Sequence, residues 1–109
     1  MDLSKHIVAD WATLKIEDAE IDLYGRDSAK FKAMVHEDAR RLKDGKTLTP
    51  EEIEAQSFER VCSMTKDIRG IELDGEEVKD PAKLYKLAPG VLEKAQVFIL
   101  QRANFLPKA

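Results

Sequence analysis

Cysteine, histidine and glycine are scarce in this chain of 109 residues, which has one Cys, two His and five Gly. A single cysteine, Cys62, excludes an internal disulfide, and its apolar, helix-like setting indicates a small buried hydrophobe in a reducing compartment. The scattered glycines form no phosphate-binding loop, and no serine stands in a strand-turn-helix nucleophile elbow. The two histidines are far apart and have no obvious acidic or nucleophilic companion, so we predict that the protein is not an enzyme.

Metal-binding motifs are incomplete in the sequence. A zinc-binding helix needs a second histidine four residues after His36, but Arg40 stands there, and a cation repels the metal. A calcium-binding loop aligned on Gly75 places Gly70 at its first ligand position and Pro81 at its twelfth, and neither supplies a side-chain oxygen. We therefore predict no metal and no cofactor.

Long apolar runs and a basic surplus are also missing. No stretch approaches the roughly 18 to 20 consecutive apolar residues of a membrane span, and the N-terminus lacks the pattern of a secretory signal, which predicts a soluble cytoplasmic protein. The chain has 18 Lys and Arg against 21 Asp and Glu. Its densest basic stretch falls at a predicted helix end, where cations are favoured, and comprises Arg40, Arg41, Lys43 and Lys46. Nucleic-acid binding is therefore disfavoured.

The periodicity of the remaining residues predicts helices separated by short hairpins. Residues 11–24 alternate imperfectly and predict a hairpin, and Asp27 or Ser28 can cap a helix that ends at Gly45. Thr49 is followed by Pro50 and Glu52, the signature of a capped helix, which we predict to continue to Gly70. Asp-Gly at 74–75 predicts a second hairpin, and Asp80-Pro81 a short helix to Leu87. A last helix is predicted over 91–102.

The sequence thus predicts a mainly α fold, of α+β type, with about four amphipathic helices and one or two short β-hairpins. We predict one domain over residues 1–109, with an N-terminal hairpin at about 11–24 and a helical body over 28–106. Apolar residues at helical spacing give the predicted core: Phe31, Val35, Leu42, Phe58, Val61, Leu84, Leu92, Ala95, Phe98 and Ile99.

A small acidic domain without a chemical site acts through its surface, so recognition of another protein is the predicted role. Large side chains are the best anchors for a partner, and the candidates are Trp11, Tyr85, Phe105 and Leu106. For each of them, packing within the core is the alternative. The net charge alternates in sign over 1–25, 26–49, 50–80 and 81–109, which is compatible with self-association into a homo-oligomer.

The order of several short motifs resembles a known family. Residues 23–28 (LYGRDS), 70–78 (GIELDGEEV), 80–85 (DPAKLY), 89–91 (PGV) and 98–106 (FILQRANFL) are similar, in order and spacing, to the tail assembly chaperones of long-tailed bacteriophages. Together the matching segments span most of 21–106. The chain departs from the family pattern at Arg69, where a tryptophan is expected before Gly70.

The resemblance implies a non-catalytic assembly factor in the host cytoplasm. Such a protein binds the helical tape-measure protein and keeps it soluble while tail-tube subunits are recruited, and this chain would be the short form of a frameshifted pair. Amphipathic helices suit a helix-in-groove contact with that partner. Two alternatives stay open: a small structural protein of the virion, for head-tail joining or tail completion, and a regulatory module that binds a host protein.

Overall fold

The structure is a computed structural model that describes residues 1–42, 45 and 47–107. Lys43 and Lys46, part of the basic stretch, lie outside the described residues. The elements follow in this order: a 3-10 helix (Leu3–His6), β1 (Trp11–Ile16), β2 (Ala19–Tyr24), α1 (Ala29–Arg41), α2 (Pro50–Met64), β3 (Thr65–Arg69), β4 (Glu72–Leu73), β5 (Glu76–Glu77), α3 (Pro81–Leu87), α4 (Pro89–Leu100) and a second 3-10 helix (Arg102–Phe105).

Three helices begin at the caps that the sequence predicts. The Ser28 hydroxyl accepts a hydrogen bond from the backbone amide of Phe31 at 3.1 Å and so starts α1. Thr49 and Glu52 form a capping box at the start of α2, with each side chain accepting from the backbone amide of the other residue. Asp80 accepts from the amide of Ala82 and starts α3. These contacts satisfy amides that have no partner inside the helix.

The prediction of a mainly α fold is wrong. Of the described residues, 53% are helical but 20% lie in strands, which form two antiparallel sheets, so the protein is a mixed α+β fold. The error lies in Thr65–Arg69, which we predicted as the end of the second helix. This segment is β3, and it pairs antiparallel with β2 to complete a three-stranded sheet in the order β1-β2-β3.

Long-range packing explains why the second helix stops at Met64. Ile68 lies opposite Ile21 in the β2–β3 pair, and both side chains are buried, with 1% and 0% exposed. The apolar spacing of Val61, Thr65 and Ile68 fits a helix equally well, but β-branched side chains also suit a strand. Pairing with β2 makes this segment a strand. Because β2 lies more than forty residues earlier in the chain, local periodicity does not reveal this pairing.

The core lies between the inner face of the sheet and the helices. The chain measures 51 × 44 × 16 Å along its principal axes, so its thin dimension holds only two layers. The buried apolar side chains come from β2, β3, the end of α2, α3, α4 and the second 3-10 helix, with Val78 between β5 and α3. They are Ile21, Leu23, Val61, Met64, Ile68, Val78, Leu84, Tyr85, Ala95, Ile99 and Phe105.

Part of the predicted core is exposed instead. Val35 and Leu42 on the α1 side are 42% and 39% exposed. Helix α1 ends at Arg41, before Gly45, and α4 runs from Pro89 to Leu100. The two-layer body covers only one end of α1, which leaves the rest of its apolar stripe at the surface.

Candidate partner-binding surface

Helix α1 presents an apolar stripe that the described part of the chain buries only in part, at Phe31 and Met34. Its apolar residues follow helical spacing at Phe31, Met34, Val35 and, just past its end, Leu42. No residue of α1 is buried, although most helices derive their stability from packing one apolar face. This stripe is therefore a surface on which a partner can pack.

The stripe borders an open groove of about 260 Å³ between α1, α2 and α4, which we call the helix groove. Its apolar walls are Phe31 from α1, Val61 and Met64 from α2, and Ile99 and Leu100 from α4. Since residues four apart share a helix face, Val35 continues the α1 wall beyond Phe31. The exposed Leu100 extends the wall outward from a buried floor of Val61, Met64 and Ile99, and the exposed Val35 lies one turn beyond Phe31.

A salt bridge fixes the two helical walls relative to each other. The Arg60 guanidinium on α2 donates to the Asp38 carboxylate on α1 at 2.8 to 2.9 Å, and the Asp38 side chain is only 13% exposed. A charge-assisted contact of this kind constrains direction as well as distance. The groove is therefore largely formed before any partner arrives.

The four anchors predicted from the sequence occupy different places. Trp11 begins β1 at the outer edge of the sheet and is 41% exposed, with the Lys66 ammonium 4.6 Å from its ring. Phe105 and Leu106 line a small hollow beside β1, but Phe105 itself is buried and Leu106 half-buried. Tyr85 lies in the core. The structure thus groups Trp11, Phe105 and Leu106 near β1 and places Tyr85 apart.

Tyr85 is held inside by its hydroxyl as well as its ring. Its Oη lies 2.7 Å from Thr65 Oγ1, which in turn donates to the carbonyl of Val61 at 2.8 Å, so Tyr85 donates to Thr65. Burial raises the pKa of Tyr85 to about 12. The hydroxyl is thus neutral at ordinary pH and fastens α3 to the junction between α2 and β3.

Leu100 lines the helix groove, although the sequence analysis did not select it. Both Leu100 and Val97 lie on α4 outside its predicted apolar face, and both are 55% exposed, but Val97 lines a different hollow. The sequence did contain a signal for this second apolar face, because α4 is apolar around most of its circumference. Such helices are normally buried on more than one side.

Ionic contacts on the outer face of the sheet are centred on Asp22. Its carboxylate, 6% exposed, accepts two bonds from the Arg69 guanidinium at 2.6 and 2.9 Å and one from the Thr13 hydroxyl at 2.6 Å. The bond from Arg69 is the main cause of the lowered pKa of Asp22, with Thr13 and Lys66 adding to it against the effect of burial. This cluster links all three strands.

Replacement of Asp22 by asparagine is expected to lower the free energy of unfolding by about 1–2 kcal/mol at pH 7, because the charged contact with Arg69 is lost. The loss is no larger because half-exposed Arg69 regains part of its hydration. A lowered pKa in the folded state means that the ionised carboxylate stabilises the fold above the unfolded pKa of about 4 and that this stability is lost as the pH falls further. Urea unfolding at pH 7 and pH 3 measures both values. A difference between wild type and Asp22→Asn that stays constant with pH would contradict the account.

Other chemical groups are isolated. Cys62 is half-buried, and burial is the main reason that the pKa of its thiol is raised, which disfavours the reactive thiolate. Within residues 1–42, 45 and 47–107, no three His, Cys, Asp or Glu side chains lie where they could share a metal ion. In the same residues, every helix is too short or too polar to cross a lipid bilayer.

Comparison with known proteins finds no matching family model, no matching curated protein and no matching solved structure. Arguments about function therefore depend on the surfaces described above and on the order of motifs in the sequence.

Proposed function

We propose that the protein is a non-catalytic binding module that holds an amphipathic helix of another protein in the helix groove. The observation that carries this proposal is that no residue of α1 is fully buried and that Val35 on its apolar stripe is exposed, next to an open apolar groove. In the helix-in-groove mode, apolar residues of the ligand at positions i, i+3 or i+4 and i+7 fill such a groove.

The size of the site suits this mode of binding. Helix α1 has 13 residues, which corresponds to roughly 20 Å of length, so about three to four turns of a ligand helix can lie along it. Burial of a half-exposed aliphatic side chain contributes about 1 kcal/mol, and Val35 and Leu100 are 42% and 55% exposed. Moderate affinity at one groove suits a chaperone that must later release its partner.

More particularly, we propose a tail assembly chaperone of a long-tailed bacteriophage, which acts in the host cytoplasm. The motif order over 23–106 supports this reading, and the partners would be the tape-measure protein, whose long helices need cover, and the tail-tube subunits. Two of the motifs have clear structural roles: Asp-Gly at 74–75 forms the turn between β4 and β5, and Asp80-Pro81 starts α3.

Co-expression with the tape-measure protein of the same phage tests this proposal. The wild-type chain is expected to keep that protein soluble and to co-purify with it. Leu100→Lys, in the wall of the helix groove, is expected to weaken binding about tenfold or more, because a charge is buried against the partner helix. Leu87→Lys is the matched control, since Leu87 is similarly exposed, at 59% against 55% for Leu100, but lies on α3 and does not line the helix groove.

Two results would contradict the proposal. Failure of the wild-type chain to bind or solubilise the tape-measure protein rejects the chaperone role, and equal effects of Leu100→Lys and Leu87→Lys reject the helix groove as the site. Mass spectrometry of purified virions separates the alternative of a structural component, since a chaperone is expected to be absent from the finished particle.

A further inference from the structure

The outer edge of β1 carries backbone groups that point away from the sheet. The amide of Gly25 donates to the carbonyl of Asp10 at 3.0 Å, and Trp11 lies opposite Tyr24 in the register. Since bonded and non-bonded pairs alternate in an antiparallel ladder, Ala12 and Leu14 bond to β2. The amides and carbonyls of Trp11, Thr13 and Lys15 therefore face outward, and within the described residues no other strand pairs with them.

The opposite edge of the sheet is closed. By the same alternation, the backbone groups of Ile68 in β3 face outward, but both are occupied. The Lys79 ammonium donates to the carbonyl of Ile68, and the amide of Ile68 donates to Asp67 Oδ1 at 2.9 Å. Proteins protect exposed strand edges in such ways because a free edge recruits other strands. The sheet can thus grow only at β1.

Two hollows lie side by side beneath the β1 edge, on the inner face of the sheet. One of them, about 540 Å³, is bordered by Leu14 and Val97, and the other, about 310 Å³, by Ala12 and Leu106. They share Asn104 and follow alternate residues of β1, which are spaced about 6.6 Å apart. An added strand would point its own alternate side chains into these hollows.

We propose that the strand added to β1 is β1 of a second copy of this chain, antiparallel and with Thr13 opposite Thr13. The outward-facing groups of Trp11, Thr13 and Lys15 are symmetric about Thr13, so a two-fold axis midway between the two Thr13 residues forms every bond twice. This is an isologous contact, and because β3 is closed, the assembly stops at a dimer with a continuous six-stranded sheet.

The side chains on the two faces complement each other in this register. On the outer face, Trp11 lies opposite Lys15 of the second copy, and the 41% of Trp11 that is exposed leaves room for a second cation beside its ring, in addition to Lys66. On the inner face, Ala12 lies opposite Leu14 of the second copy, so each large side chain meets a small one above a hollow. A register shifted by one residue would lose both pairings and would bring together backbone groups already bonded to β2.

The first test measures the mass in solution by light scattering and sedimentation from low to high micromolar concentration. Twice the monomer mass is expected at the upper end. Lys15→Pro is expected to abolish the dimer, because proline removes the outward amide of Lys15 and leaves the bonds from β1 to β2 intact. Lys15→Ala is the matched control: it keeps the amide, removes only the cation, and is expected to weaken the dimer severalfold without abolishing it. Circular dichroism verifies that each variant is folded.

The second test does not depend on a folded proline variant. Two-fold related Thr13 residues form a bonded pair with Cα atoms about 5.5 Å apart, which is within disulfide range. On a Cys62→Ser background, Thr13→Cys is expected to form a covalent dimer on mild oxidation. Lys15→Cys is the control, since its two Cα atoms would lie roughly 14 Å apart in this register, too far for a disulfide.

Each outcome decides the proposal. A dimer that Lys15→Pro removes and Thr13→Cys traps supports it. A monomer at every concentration, a dimer insensitive to Lys15→Pro, or equal crosslinking of Thr13→Cys and Lys15→Cys overturns it. Retention of dimer in Leu100→Lys separates this interface from the helix groove, so either proposal can fail while the other stands.

Discussion

Replacement of Phe105 by alanine is expected to lower the free energy of unfolding by about 3–5 kcal/mol, within the range for loss of a buried aromatic ring. Phe105 is 2% exposed, and its ring meets that of Phe98 edge to face with 5.4 Å between centroids. Its carbonyl accepts from the amide of Ala9 at 2.8 Å. Phe105 thus joins the N-terminal segment, β2 and α4, although it lies near the end of the sequence.

Glycine at position 25 makes this packing possible. A Cβ atom at Gly25 would lie 2.9 Å from three carbons of the Phe105 ring, closer than any normal contact.

Urea denaturation measures the effect of Phe105→Ala. The control is Leu106→Ala, which changes a half-buried neighbour and has an expected loss of about 1 kcal/mol. Similar losses for the two variants would show that Phe105 does not hold these elements together.

Replacement of Gly70 by alanine is expected to cost about 2–3 kcal/mol. Gly70 has φ +77°, a left-handed conformation that costs other residues about 1 kcal/mol or more. In addition, its Cβ would lie 2.9 Å from the carbonyl oxygen of Asp18 and 3.3 Å from the Cα of Ala19. Both obstacles are backbone atoms at the β1–β2 turn, so the turn itself must move.

Gly75→Ala separates the two contributions to the cost at Gly70. Gly75 has φ +81°, but a Cβ at this position would have no atom within 4 Å, so only the conformational cost of about 1 kcal/mol is expected. Thermal or urea unfolding of both variants gives the difference. Equal losses would mean that the β1–β2 turn yields freely to a side chain at position 70.

The sequence predicts the local features of the fold well because their causes are local. Ser28, Thr49 and Asp80 cap helices through hydrogen bonds to residues two or three positions away. Asp74 and Gly75 both adopt positive φ, as the two-residue turn that they were predicted to form requires. Such signals need no knowledge of the rest of the chain.

Features that depend on distant segments were not predictable in the same way. Thr65–Arg69 becomes a strand because β2 pairs with it, and α1 is only partly covered, at Phe31 and Met34, because the rest of its apolar stripe has no partner among the described residues. The helix groove likewise needs α1, α2 and α4 together, so Leu100 could not be recognised from its own helix. Only the excess of apolar residues on α4 indicated that a second face of this helix had a role.

The helix groove and the β1 edge lie on different parts of the molecule, and the two proposals assign them different partners. A dimer through β1 would leave both grooves open, so one dimer could hold two helical segments of the same long partner. Binding of the first segment would raise the effective concentration of the second and so increase the overall affinity. This arrangement fits a chaperone of an extended helical protein better than a single weak site does.

Hydrogen–deuterium exchange of the protein with and without bound tape-measure protein tests the helix groove most directly. Since α1 has no buried residue, its amides are expected to exchange early in the free protein. In the complex, slower exchange is expected in α1, α2 and the last turn of α4, while the β4–β5 hairpin stays unchanged. A stable complex in which α1 exchanges as fast as in the free protein would contradict the assignment of the groove as the binding site.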